Sequence, residues 1–210
     1  VANIESSDPS QVIAGNERVI RPRLDDAAFF YRNDRLVSLE QRRETLKKVV
    51  FQDKLGSVFD KTVRVSSLCS QLASFTGADA ALARRAGELC KSDLVTDMVG
   101  EFADLQGVMG RYYAVHDGEQ SDVAEALLEQ YLPRFSGDKI PTNNVGMTLS
   151  LADKLDTLVG IFSIGQPPSG SRDPFALRRA SLGILRIILD RKINIDLTEA
   201  ISLAAANFDL

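Results

Sequence analysis

Apolar residues recur at steps of three and four along most of this chain, and no stretch alternates apolar and polar over more than a few residues. Leu24, Ala27, Ala28 and Tyr31 predict a first helix from Leu24, with Asp25 and Asp26 where negative charge favours a helix N-terminus. A second helix is predicted from Ser38, a good cap, to Val50, with Glu44 placed to pair with Lys47 and Lys48. Val58, Val65, Leu68, Leu72 and Phe75 mark a third, from Leu55 to Phe75, that stops at Gly77. Residues 78–109 read as two or three closely spaced helices. Ser121 caps a helix reaching Leu132, where Pro133 helps to end it. A loop over 136–144 precedes an apolar helix from Met147 to Ile164. Gln166–Asp173 is loop, and Asp173, with Pro174 in the favoured first position, opens a helix to Arg191. Leu197–Asn207 is a last short helix, and the polar opening through Ile20 reads as loop or incomplete strand. The predicted class is all-α.

Composition changes this picture little. At 210 residues, 44% hydrophobic and 26% charged, the chain has the make-up of an ordinary globular domain, with or without an appendage. It starts at Val1 without an initiator Met and stops just after a helix-like segment, so it reads as an excerpt from a longer polypeptide. No apolar run reaches the roughly 18 residues of a membrane span, and no secretory signal is legible. Cys69 and Cys90 are isolated in helical surroundings and read as buried free thiols, with a disulfide as the alternative.

Charge adds more. The net charge is −4, but residues 18–64 hold 12 bases and 7 acids while residues 65–165 hold 7 bases and 14 acids. Fields screened over about 8 to 10 Å make the local balance more informative than the average.

Two sets of acids stand out. Asp93, Asp97, Glu101 and Asp104 share one face if their segment is a continuous helix, which makes either a solvated acidic face or a functional row. Asp153 and Asp156 lie inside an apolar helix, where a carboxylate needs a partner. The arginines also fall into two sets. Arg179 and Arg186 share a face of the helix after Asp173, whereas Arg178 points into its apolar arc and reads as structural, paired with an embedded acid. Arg42 and Arg43 belong to a cluster with Arg21, Arg23, Arg32 and Arg35. Either set is a solvated face or a grip on an RNA backbone, for which guanidinium groups suit phosphate. No Gly-rich phosphate loop, dinucleotide fingerprint or CxxC pair is present. The single histidine, His116, followed by Asp117, reads as an exposed or capping residue in a loop after Tyr113.

GNERVIRPRLDDAAFF from Gly15, KSDLVTDMVGEFADLQGVMGRYYA from Lys91, LADKLDTLVGIF from Leu151 and DPFALRRA from Asp173, in that order, resemble the beta subunit of the bacterial two-subunit glycyl-tRNA synthetase. The likeness covers nearly the whole chain and thins after Asn194. It implies a cytoplasmic enzyme of two alpha and two beta chains that joins glycine to tRNA(Gly) with ATP and magnesium, with no membrane association. It also places the aminoacylation site in the alpha chain. This region would hold no catalytic residue, metal or cofactor of its own, and would contribute tRNA engagement and assembly. The RNA contacts assigned on that basis are Arg179 and Arg186, then Arg42 and Arg43.

The helix-borne acids also resemble the HD superfamily of metal-dependent phosphohydrolases. KSDLVTDMV looks like the helix of the His-Asp pair, with Asp93 at the Asp and Ser92 where the His belongs, and Asp153 matches the distant Asp. Serine does not replace an imidazole ligand. The expectation is therefore a degenerate HD-like bundle in which Asp93 and Asp153 are structural acids. Its rivals are an active HD-type phosphohydrolase and a purely structural spacer. The expected division is a linker over 1–36, the HD-like domain over 37–195, and the start of a further helical segment over 196–210.

Overall fold

The structure, a computed structural model, describes residues 7–208. Among them are ten α-helices and one two-stranded ribbon, so the protein is all-α. Three expectations extend to residues outside this range. They are the loop or strand at the opening, the linker over 1–36 and the segment over 196–210, which reach into residues 1–6 and 209–210.

Helix α1 runs Pro9–Asp34, starting well before Leu24. Asp8 accepts the Ser10 and Gln11 amide hydrogens and Pro9 takes the first turn, so the Ser-Asp-Pro run read as loop is a helix start. Residues 9–26 are exposed throughout, Val12, Ile13, Val19, Ile20 and Leu24 among them. Ser38 does cap a helix, through a reciprocal box with Gln41, but α2 spans only Leu39–Arg42. A 3-10 turn over Arg43–Lys48 and the start of strand β1 (Val50–Gln52) replace the rest of that helix, and β2 (Gly56–Ser57) takes the first residues of the predicted third one. The strands are antiparallel, with Val50 opposite Ser57.

Helix α3 (Val58–Thr76) is central. Ser57 and Asp60 box its start, and Gly77, at φ 70°, ends it in the left-handed conformation that glycine adopts freely. It packs on α4 (Ala80–Leu89) and on α8 (Asn144–Ser163). At the α3–α4 crossing a Cβ on Gly87 would lie 2.6 Å from the Ser66 Cα, so only glycine lets the backbones approach this closely. Helices α6 (Val108–His116) and α7 (Ser121–Glu129) complete the bundle with α9 (Leu177–Arg191) and α10 (Leu197–Ala205). Gln120, rather than Ser121, occupies the cap position of α7.

One core joins Leu68, Leu72, Leu89, Leu127, Leu149, Leu151 and Ile187. Ala200 and Ala204 of α10 lie in that same core. The Cys69 and Cys90 thiols are buried in it and free.

The segment bearing the carboxylate row is not one helix. It is a 3-10 turn (Ser92–Val95), a short α5 (Asp97–Glu101) and a second 3-10 turn (Ala103–Leu105) before α6. Thr96 and Phe102 adopt non-helical angles at the joints, and Gly107 at φ 78° turns the chain into α6. The row is thereby dispersed: Asp93 is buried, while Asp97, Glu101 and Asp104 are exposed.

Candidate functional site

Helices α3 and α8 bring a charged network into the interior. Lys61 of α3 donates to the Asp156 carboxylate at 2.9 Å and to the Thr157 hydroxyl at 2.8 Å, and ion-pairs with Asp153 at 3.1 Å. Arg64, one turn on, donates through Nε to the other Asp156 oxygen at 2.8 Å. Lys91 reaches the second Asp153 oxygen at 3.1 Å and the Gln130 side-chain carbonyl at 2.7 Å. Burial of Asp153 works against its charge, but Lys61, Lys91 and Lys154 outweigh it, and the carboxyl is held well below its ordinary value. Lys91 is held above the ordinary lysine range, because Asp153 overcomes the burial that would neutralise it. Lys154 behaves differently. Its ammonium donates to the Leu132 carbonyl at 2.9 Å and the Ser150 hydroxyl at 2.6 Å, and burial pulls its pKa down to about 8.

Asp93 lies close to this network but outside it. It is 2% exposed and accepts the Gly107 amide hydrogen at 2.5 Å, while burial raises its pKa despite that bond and nearby Lys91. Asp153 therefore faces two lysines, and the arginine in this network is Arg64, on Asp156, not Arg178. These residues do not suit a divalent cation. Lys91 donates to one Asp153 oxygen and Lys61 ion-pairs with the other, which accepts no hydrogen bond; a backbone amide holds Asp93, and Ser92 is fully buried with its hydroxyl unpartnered. Among the described residues no three His, Cys, Asp or Glu side chains converge as metal ligands.

The predicted RNA contacts separate. Arg42 is internal: its guanidinium donates to the Asp34 carboxylate and carbonyl and to the Val37 and Val95 carbonyls, at 3.0 to 3.3 Å. It holds α2 against the end of α1 and is unavailable to phosphate. Arg43 pairs with Glu40 at 2.9 Å and lies over the Phe59 ring. Arg186 is half-buried beside Asp190 at 3.5 Å. Arg179 is exposed and makes no ion pair among the described residues.

Arg178 contradicts its assignment. It is exposed, and Asp173, on which both Arg178 and Arg179 act through space, accepts the Leu177 and Arg178 amide hydrogens at 2.8 and 3.0 Å. Ala176, in the left-handed conformation at φ 53°, delays the start of α9 to Leu177, and Arg178 lies on the side of Leu182, Leu185 and Leu189, which is the exposed one. Leu177, Ile184 and Ile187 are buried, while Leu182, Leu185 and Leu189 are exposed. His116 is the last residue of α6 rather than part of a loop. It is exposed, with Nδ1 3.1 Å from Arg35, while its neighbour Asp117 accepts the Leu39 amide hydrogen at 2.7 Å.

Asp34 has no counterpart among the predicted site residues. At 1% exposure it accepts the Asp97 and Met98 amide hydrogens at 3.0 Å, the Tyr113 hydroxyl at 2.8 Å and Arg42, tying together α1, α2, α5 and α6. The only sequence signal was an acid followed eight residues later by an arginine in a basic stretch.

Beside the network opens a cleft of about 650 Å³ between the α7–Pro133 turn and the start of α9. Tyr131 and Asp153 form its inner wall, and Lys139, Phe175 and Arg179 stand around it.

Against known sequences, the profile of the family described as "Glycyl-tRNA synthetase beta subunit" matches residues 1–209. The chain belongs to the glycyl-tRNA synthetase beta subunit family. Among its relatives, the Glycine--tRNA ligase beta subunit of Marinobacter nauticus is 62% identical over 208 residues, 99% of this chain and 30% of that protein. The subunit of the same name from Pseudomonas fluorescens strain SBW25 is 59% identical with the same coverage, and that of Hahella chejuensis is 57% identical over 204 residues. The chain thus spans about 30% of the length of these beta subunits. In this beta subunit segment no helix among the described residues is long and apolar enough to cross a membrane.

Proposed function

We propose that this chain is the degenerate HD-like region of a glycine–tRNA ligase beta chain, acting in tRNA engagement and subunit assembly without a catalytic centre of its own. The ligase would join glycine to tRNA(Gly) with ATP and magnesium in the cytoplasm, as a complex of two alpha and two beta chains. The observation that carries the reading is the family match over residues 1–209. The internal network supports the non-catalytic part, since the acids that could have served as ligands are held by lysines and by a backbone amide.

RNA contact rests on Arg179 with Arg186 beside it, and no longer on Arg42. The test is Arg179→Ala with Arg186→Ala in the full enzyme. The expected result is weaker tRNA binding and a shallower dependence on salt, by roughly one charge equivalent or less per lost contact. Unchanged affinity at several salt concentrations would leave the spacer reading ahead. That second reading draws on the internal ties of Arg42 and Arg43, two bases of that stretch.

A further inference from the structure

The cleft beside Asp153 carries a charge balance unlike its surroundings. The stretch 65–165 holds twice as many acids as bases. Yet the cleft is lined by Arg134, Lys139, Lys154 and Arg179 against only Asp104 and Asp153. Asp153 is already matched by Lys61 and Lys91, each at 3.1 Å. Arg134 pairs with Asp138 at 3.0 Å, and Lys154 donates to backbone carbonyls and to Ser150. Lys139 and Arg179 are therefore the lining cations with no ion pair among the described residues, and both are exposed. They stand on separate segments, the loop after α7 and the first turn of α9, and meet around one concavity.

The walls supply a second kind of contact. Tyr131 and Phe175 bring aromatic surface to the cleft, with Pro133 between the polar groups. Paired cations beside an aromatic wall suit one nucleotide unit, its phosphate neutralised and its base laid on a ring. A volume of about 650 Å³ lies within the range of small-molecule sites. The Lys154 ammonium is engaged by the Leu132 carbonyl and the Ser150 hydroxyl, so the arrangement reads as one for binding.

We propose that this cleft is a binding site for a single nucleotide unit, with Lys139 and Arg179 taking its phosphate and Phe175 its base. The unit could be carried on an RNA strand or come as a free mononucleotide, since both present the same phosphate and ring. The proposal deepens the RNA reading above but does not depend on Arg186.

The experiment follows hydrogen exchange in residues 131–140 and 174–181 of the full two-subunit enzyme, titrated with AMP or with a 5′-phosphorylated single-stranded RNA tetranucleotide. Local readout separates this cleft from any nucleotide site elsewhere in the complex. Protection by either probe supports the site, and the more effective probe identifies the source. Lys139→Glu with Arg179→Glu should weaken that protection at least about thirtyfold, while Asp104→Asn should strengthen it severalfold by removing the unmatched carboxylate. Phe175→Leu should weaken it about tenfold, in line with the worth of one stacked base. Lys139, Arg179 and Asp104 are exposed, so those variants should fold, and an unchanged melting temperature checks it.

No protection by millimolar probe, or protection that survives the double charge reversal, overturns the proposal. If the Arg179 and Arg186 alanine variant loses tRNA affinity while the cleft shows no protection, the RNA reading stands and the pocket falls. If AMP alone protects and tRNA affinity is indifferent to those arginines, the pocket stands and the RNA reading falls.

Discussion

Arg42 and Arg179 are the same residue at comparable places, each near the end of a helix in a locally basic stretch, yet they have opposite surroundings. Arg42 is met by four oxygens and its side chain is only 14% exposed. Arg179 projects from the first turn of α9, exposed and in no ion pair among the described residues, with Asp173 acting on it only through space. The same division separates Lys61 and Lys91, neutralised in the interior, from Lys139 at the surface. A cation here is structural when the fold brings oxygens to it, whatever its neighbours in sequence. Only the unmatched ones are candidates for an outside phosphate.

The sharpest way to test that division is to remove an acid that makes internal cations tolerable. Asp153→Ala leaves Lys61 and Lys91 with one counter-charge fewer, and unfolding should become easier by about 3 to 5 kcal/mol, a fall of roughly 10 °C in Tm. A change below about 1 kcal/mol by denaturant titration would show that the network is more hydrated than its geometry indicates.

A smaller effect is expected at the two arginines themselves. Arg42→Ala should cost about 3 kcal/mol, because it strands the buried Asp34 carboxylate. Arg179→Ala should stay within about 0.5 kcal/mol. Equal losses in the two variants would erase the contrast.

A further effect concerns pH. Lys154 has a folded-state pKa of about 8 against an ordinary 10.5, so the unfolded chain binds more protons between these values. Its contribution to stability therefore rises as pH goes from about 8 to 10.5. The buried Cys90 thiol, pushed up to about 12, acts in the opposite direction above pH 9. The comparison must therefore be between wild type and Lys154→Met. The wild type should gain on the variant across that window, and a flat difference would place the ammonium in solvent.

The legible parts of the fold were those with local signals. Gly77 ends α3 as its position in the apolar pattern required, and the periodic apolar positions of α3 and α8 located those helices. The carboxylate row failed because three short helical pieces in succession preserve a spacing of three and four without preserving a common axis. The missed half of α1 has no buried face to impose a period. Asp156 visibly needed a partner, but Lys61 lies 95 residues away, and only the packing of α3 on α8 selects it over other cations. Asp34 was illegible for the same reason, since three of its four partners belong to segments more than 60 residues on.

The long first helix gives the molecule a mechanical property. Its last turn is fastened by Asp34, and Arg23 adds a clamp to Glu101 at 2.6 Å with its guanidinium over Phe102. The 14 residues from there back to Pro9 form an overhang of about 21 Å at 1.5 Å per residue. A tilt of about 5° at the clamp swings the far tip by about 2 Å, and a push on the tip returns as torque on α5 and the Asp34 hub. The helix is a lever: whatever bears on its exposed arm acts through a hub that joins four helices at a single carboxylate.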